Sequence, residues 1–486
     1  MNFRSTRGKE KWVKSAEAIV RGIAKDGGLF VPDSFPRLYE EIINKKGASY
    51  EDIAYLVISK FFTDIKIREL KGAIKDAYTD RFKVEVVENF LELYHGPTCA
   101  FKDAALLFLP QIMKRAKNII GANEEIVILT ATSGDTGKAA LEGFKDIEGF
   151  KVVVYYPKDG VSEIQRKQMI TQEGDNVHVI AIEGNFDNVQ TGVKNIFGDE
   201  ELKKELLEKG FRLSSANSIN IGRLIPQIVY YFYGYIKLIE NGKVKEGDKI
   251  NVVVPTGNFG NILAAYYGKK MGLPIDKLIC ASNENKVLTD FFNTGIYDKR
   301  RELILTESPS MDILLSSNLE RLLYEISNRD SEEINKLMDS LNTNGVYEIS
   351  ESMKENLSDF YGDFATTGEV YKSINEVYVK ENYLMDTHTG VAYVVHKKYV
   401  EKTGDNKEVL IASTASPFKF PRSICNSLGF EVDFMDDFKV LNTLFEESKN
   451  EIPESLSNLE KKKVIHTKTS KVEDMKKSLK EYLGVE

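Results

Sequence analysis

Apolar residues recur at helical spacing early in the chain and change to short unbroken runs near residue 90. Trp12, Val13, Ala16, Ile19, Val20 and Ile23 lie on one face of a predicted helix, with polar residues between them. The paired glycines and proline of Gly27-Gly28-Leu29-Phe30-Val31-Pro32 then break the pattern. Amphipathic spacing resumes over 50–62 and 65–78, so 1–88 reads as a helical N-terminal domain. Beyond it, Phe90-Leu91-Glu92-Leu93-Tyr94 and the Val/Ile-rich runs 126–130, 151–156, 177–182, 250–254, 278–281 and 409–412 are separated by helix-length segments. Runs of this kind predict parallel strands covered on both faces by helices, an α/β architecture. His178, inside one such strand, reads as a satisfied or edge histidine. The stretch 285–380 is less regular and more charged, as a helical insertion would be. The Lys/Glu-rich chain from 431 to 486 reads as a solvated extension with one strand over 464–467.

Composition narrows the function classes. At 486 residues, two or three domains are expected. The formal charge of −8 argues against nucleic acid or an anionic membrane as partner, while leaving room for a small anion held by local donors. Cys99, Cys280 and Cys425 are too scattered for a disulfide framework or a CxxC motif. The five histidines form no HExxH, residues 1–8 lack the apolar core of a signal peptide, and no apolar run reaches membrane-spanning length. These features predict a cytoplasmic enzyme without a metal, and they leave monomer and small homo-oligomer both open.

The candidate chemistry lies in loops that follow strands. After Phe90–Tyr94, the turn His95-Gly96-Pro97 leads to Lys102 at a helix start, flanked by small and apolar residues. A lysine carried inside has a lowered pKa and becomes a nucleophile and Schiff-base former; a solvated lysine is the ordinary alternative. Thr130-Ala131-Thr132-Ser133-Gly134-Asp135-Thr136-Gly137-Lys138 fits neither a Walker A loop nor a dinucleotide fingerprint. It offers hydroxyls, free N–H groups and one acid, either a carboxylate seat or a plain strand-to-helix turn. Gly257-Asn258-Phe259-Gly260-Asn261 precedes the helical 262–267 and reads as a phosphate cradle, against a glycine turn that binds nothing. The run Ser214–Arg223 gathers amides, hydroxyls and a guanidinium, suited to a second phosphate or to a helix cap with a surface arginine. Ser413-Thr414-Ala415-Ser416-Pro417-Phe418-Lys419-Phe420 places hydroxyls at a strand's carboxyl end, where ligands of open α/β sheets bind.

Taken in order, these motifs resemble the tryptophan-synthase-like, fold type II pyridoxal-phosphate enzymes. With Ser5-Thr6-Arg7-Gly8 and Asp26–Pro32 added, the set is similar to the threonine synthases of the long bacterial and fungal type, from residue 5 to residue 420. The resemblance implies two parallel-sheet α/β domains behind the helical N-terminal domain. The catalytic core would span 89–430, with the smaller domain at about 115–245. It implies pyridoxal 5'-phosphate as cofactor, held covalently by the catalytic Lys102, with Gly257, Asn258, Phe259, Gly260 and Asn261 on its phosphate. Asp135 would lie near the ring's phenolic oxygen and Thr414 near its pyridine nitrogen. Ser133, Gly134 and Thr136 would surround the substrate carboxylate, and Asn217, Ser218 and Arg223, joined by Lys419, the substrate phosphate.

The activity so implied is conversion of O-phospho-L-homoserine and water into L-threonine and phosphate. A phospholyase that releases a keto acid without hydration is the nearest alternative, and a non-catalytic anion-binding protein on the same sheet is the alternative from another class. Because an ionised acid beside a phenolate is repulsive, Asp135 is expected to share a proton.

Overall fold

In the computed structural model, which describes residues 1–485, the Val/Ile runs assemble into two sheets. The larger has six strands in the order Phe360–Phe364, Ile275–Ser282, Ile250–Pro255, Val409–Ser413, Phe90–His95 and Lys83–Val87. All its neighbours are parallel except the last pair. The smaller sheet is wholly parallel, in the order Thr469–Lys471, Val177–Glu183, Phe150–Pro157, Glu125–Ala131 and Phe211–Ser214. Every residue of Ile250–Pro255 is buried, which is why its sequence does not alternate.

Strand order reverses once in each sheet. In the larger one the reversal falls between Ile250–Pro255 and Val409–Ser413; in the smaller it falls between Glu125–Ala131 and Phe211–Ser214. The loops leaving these four strands splay to opposite faces and open a crevice at their carboxyl ends. All the glycine- and hydroxyl-rich loops but the Lys102 turn leave these strands.

Two N-terminal helices end close to expectation, at Tyr50–Phe61 and Ile67–Tyr78, the first capped by Ser49 Oγ accepting from Asp52 N–H. The earliest helix is shorter, Ser15–Arg21, because Val13 is taken up in a backbone bridge to Phe3. Three expectations need correction. Lys83–Val87, inside the stretch read as helical N-terminal domain, is an edge strand of the larger sheet. The 285–380 segment is more than helices: its strand Phe360–Phe364 closes the other edge by pairing with Ile275–Ser282. In the tail, Ile465 and His466 both donate N–H groups to the Ile170 carbonyl, and the strand forms only at Thr469–Lys471. Nor is that tail merely solvated, since Met475, Leu479 and Leu483 pack with Val127, Leu129 and Tyr155 of the smaller sheet. No helix among the described residues is long and apolar enough to cross a membrane.

The tail's seam carries a pH dependence. His178 stacks on Tyr482 with ring centroids 4.5 Å apart and meets the edge of His466 at 6.0 Å. Burial, then the His466 and Lys468 charges, push His178 down to about 4, and burial lowers His466 as well. A histidine depressed in the folded state stabilises the fold above its unfolded value of about 6.5. That contribution is lost as pH falls from there toward about 4. Hydrogen-exchange protection of residues 464–485, corrected for the intrinsic exchange rate at each pH, is therefore expected to be lower at acid than at neutral pH. His178→Phe should flatten the difference.

Candidate active site

Lys102 sits where the chain turns from the strand Phe90–His95 into the helix Asp103–Leu106. Asp103 holds the turn, its carboxylate accepting from Thr98 N–H at 2.9 Å and Thr98 Oγ1 at 2.6 Å. Cys99 adopts a left-handed φ of 57°, and Phe101 N–H donates to the Thr414 carbonyl at 2.8 Å. The lysine's turn is thereby stitched to the loop after Val409–Ser413. Lys102 is 9% exposed, so the solvated reading fails, and burial lowers its pKa against the opposing pull of Asp135.

Asp135, the first residue of its helix, lies between two ammonium groups. Lys102 Nζ donates to Oδ2 at 3.1 Å and the fully buried Lys419 Nζ to Oδ1 at 2.5 Å. Gln165 Nε2 adds a third donor at 2.9 Å. Burial by itself would raise this carboxyl, but the two lysines outweigh it and hold it well below the usual carboxylate range. The two lysines thus favour the ionised carboxylate here, whereas the proton expected at Asp135 concerns its contact with the cofactor's phenolic oxygen. Gly134 makes the approach possible: its φ is 146°, and a Cβ there would meet the Gln165 amide at 2.6 Å. Ser133 and Thr136 flank it half-buried.

The remaining candidates gather around a second centre. The helix Gly260–Lys270 begins without a side-chain cap, preceded by Phe259 at a left-handed φ of 64°. Its first N–H groups face the anion position of a helix N-terminus. Gly257 is required by close packing, since a Cβ there would meet the Ser310 carbonyl at 2.6 Å. Asn261 Oδ1 accepts from both Tyr230 and Tyr231 hydroxyls, at 2.6 and 2.5 Å, leaving its buried Nδ2 without a partner. Asn318 ties this loop to the neighbouring one, donating to the Asn258 carbonyl at 3.0 Å and to Ser218 Oγ at 3.1 Å. Asn217 is exposed beside them.

Arg223 is not a surface arginine. It is 4% exposed, its Nη1 donates to the Ala216 carbonyl at 2.6 Å, and its Nε has no partner. Burial without a carboxylate pushes it down to about 10. A buried guanidinium and a buried amide with idle donors call for an anion to complete them. Lys419 does not join this group; it serves Asp135 and the Thr98 carbonyl, the latter at 3.0 Å. Thr414 is buried above the crevice end of its strand.

The matches to known proteins agree with this layout. The family model described as "Threonine synthase N terminus" matches residues 2–78, and "Pyridoxal-phosphate dependent enzyme" matches residues 90–414. Threonine synthase of Saccharomyces cerevisiae is 35% identical, over 99% of this chain and 98% of the yeast one. The chain belongs to the threonine synthase family. A crystal structure of pyridoxal-phosphate-bound threonine synthase from Brucella melitensis superposes with a TM-score of 0.87 at 34% identity, covering 99% of this chain and 98% of that one. Human threonine synthase-like 1 is 42% identical over 85% of this chain, which spans 58% of the human protein's length.

Membership brings pyridoxal 5'-phosphate as the cofactor of a fold type II enzyme, and the donors fit it. The buried amine, the uncapped helix start and the idle Asn261 amide are what a phosphorylated aldehyde needs.

Sequence reasoning missed Ser310, Asn318 and Arg321, all from the 285–380 segment. Arg321 is fully buried and donates to Phe30 and Ile219 carbonyls and to Asn318 Oδ1, at 2.9, 2.5 and 2.5 Å. It thus clamps the N-terminal domain to the Asn217–Arg223 loop and, through Asn318, to the Gly257–Asn261 loop. The arginine spacing carries no such signal; only the fold brings residues some 100 and 290 positions away onto one side chain.

Proposed function

We propose that this chain is a threonine synthase, converting O-phospho-L-homoserine and water into L-threonine and inorganic phosphate. The observation that carries the reading is Arg223, a buried guanidinium with an idle Nε and no carboxylate, on the loop that Asn318 joins to the Gly257–Asn261 cradle. One anion site serves a cofactor phosphate; a second beside it fits a substrate that carries a phosphate of its own.

In this reading Gly257, Asn258, Phe259, Gly260 and Asn261 hold the cofactor phosphate, and Lys102 and Thr414 face its ring. When bound, pyridoxal phosphate supplies an electron sink for charge developing at the amino-bearing carbon. Ser133, Gly134 and Thr136 orient the substrate carboxylate through hydroxyls and N–H groups. Asn217, Ser218 and Arg223 hold the leaving phosphate. The Lys102 amine, deprotonated at modest cost because burial lowers its pKa, moves protons among Cα, Cβ and Cγ of the substrate. Asp135 steadies that amine from one side. The enzyme is further proposed to be cytoplasmic, with no nucleic-acid or membrane partner, and a monomer or small homo-oligomer.

Incubation with O-phospho-L-homoserine decides the reading: threonine with equimolar phosphate supports it, and 2-oxobutyrate identifies a phospholyase instead. Arg223→Gln is expected to weaken inhibition by inorganic phosphate about 10- to 100-fold, the worth of a charge-assisted hydrogen bond. Unchanged inhibition would move the substrate phosphate elsewhere.

A further inference from the structure

A hydrogen-bonded chain reaches Lys102 without passing through Lys419, and it begins at a buried acid unrelated to the motifs above. Asp386 is fully buried and caps the helix Thr387–Thr403, accepting from the His388 and Thr389 N–H groups at 3.0 and 3.1 Å. Its Oδ2 lies 2.7 Å from His388 Nδ1. His388 Nε2 in turn accepts the Ser310 N–H at 3.2 Å, which assigns the ring proton to Nδ1 and leaves the ring neutral. Ser310 Oγ then meets both members of the catalytic pair, accepting from Lys102 Nζ at 3.2 Å and donating to Asp135 Oδ2 at 3.1 Å.

The turn that carries this serine is short, a single 3₁₀ turn over Pro309–Met311, and its other face supports the cradle. The Ser310 carbonyl is what a Cβ at Gly257 would strike, so one residue packs on the phosphate loop and touches the lysine. Three residues of 3₁₀ backbone cannot hold a hydroxyl to that accuracy alone. The anchor to His388, itself oriented by Asp386 and packed 5.1 Å from the Phe420 ring, supplies the missing constraint.

We propose that Ser310 is a catalytic residue that hands protons to and from the Lys102 nitrogen, with His388 and Asp386 as its positioning residues. A hydroxyl has the valence that such a relay needs. It can accept the proton Lys102 releases while passing its own to Asp135 Oδ2, leaving a neutral amine and a neutral carboxyl, and the loss of the Lys102 charge removes one of the two that hold Asp135 ionised. A lysine that must take a proton at one carbon and return it at another needs such a partner to turn over between steps. The charged groups facing this unit are Lys102, Lys419 and Asp135 on one side, and Asp312 and Asp386 on the other.

The inference rests on the proposed activity only for its turnover readout. The test compares full-length holoenzymes of wild type, Ser310→Ala, Ser310→Thr and His388→Phe, the last keeping a ring against Phe420. Ser310→Ala is expected to lower kcat for phosphate release about 10²-fold with little change in KM. Ser310→Thr, which keeps the hydroxyl, should recover most of it. His388→Phe is expected to resemble Ser310→Ala, and the double variant Ser310→Ala/His388→Phe to be no worse than either alone. The second readout is a pH titration of the bound cofactor's visible absorbance, which needs no substrate. Because Ser310 accepts from the lysine nitrogen, its loss should lower the midpoint by about one unit. A midpoint unmoved in Ser310→Ala, or additive losses in the double variant, would overturn the proposal. Should the wild type release no phosphate from O-phospho-L-homoserine, the activity reading fails and the titration still decides the role of Ser310.

Discussion

Lys102→Ala is expected to fold normally and to lose turnover of O-phospho-L-homoserine by about 10⁴-fold or more. Folding should survive because Asp135 keeps Lys419 as a counter-ion after Lys102 is gone. Chemistry should not survive, since no other amine replaces it: Lys419 is fully buried and tied to Asp135 and the Thr98 carbonyl, and Lys138 is tied to Glu142 and Gln172. Borohydride reduction followed by peptide mapping checks the claim independently of activity. Wild type should carry a pyridoxyl group at Lys102, and the variant none at any lysine. Turnover within about ten-fold of wild type would remove Lys102 from the mechanism.

The second large effect belongs to Asp135. Asp135→Ala strips the counter-ion from a fully buried ammonium, and breaking a buried pair in this way costs about 3–5 kcal/mol. A clear drop in the thermal midpoint is expected, together with loss of catalysis, because Lys102 and Ser310 lose their shared acceptor. The double variant Asp135→Ala/Lys419→Met separates the two roles. Removing the orphaned ammonium should restore most of the stability, while leaving activity low. A double variant as unstable as Asp135→Ala would mean that Asp135 stabilises the fold through Gln165 and the helix start instead of through Lys419.

Lys419 shows where reading motifs along the chain stops. Its loop is legible as crevice-lining, and a cation there reads naturally as a phosphate ligand. What the chain does not reveal is that the 3₁₀ turn Pro417–Lys419 aims the side chain at the helix start of the other sheet's first loop. The same holds for the charge that surrounds Asp135. Electrostatic state depends on neighbours within a few ångströms, and both of its ammonium neighbours come from other loops. Ser310 lies on the 3₁₀ turn Pro309–Met311, and Asn318 and Arg321 lie at the start of the helix Leu319–Ile326; nothing along the chain marks the distant loops these three side chains reach.

By itself the sequence determined the α/β architecture, the order of its strands along the chain, and the loops that carry chemistry. It did so because buried parallel strands must be continuous apolar runs, and because tight turns at strand ends need glycine and hydroxyl residues. The buried setting of Lys102 was legible for the same reason, in the small apolar residues around it. Strand order within the sheets, the edge strands Lys83–Val87, Phe360–Phe364 and Thr469–Lys471, and the pairing of Lys102, Asp135, Lys419 and Ser310 were decided only by tertiary structure. The contacts among those four side chains join residues up to 284 positions apart, and at that separation only packing of the two sheets around one crevice selects which side chains meet.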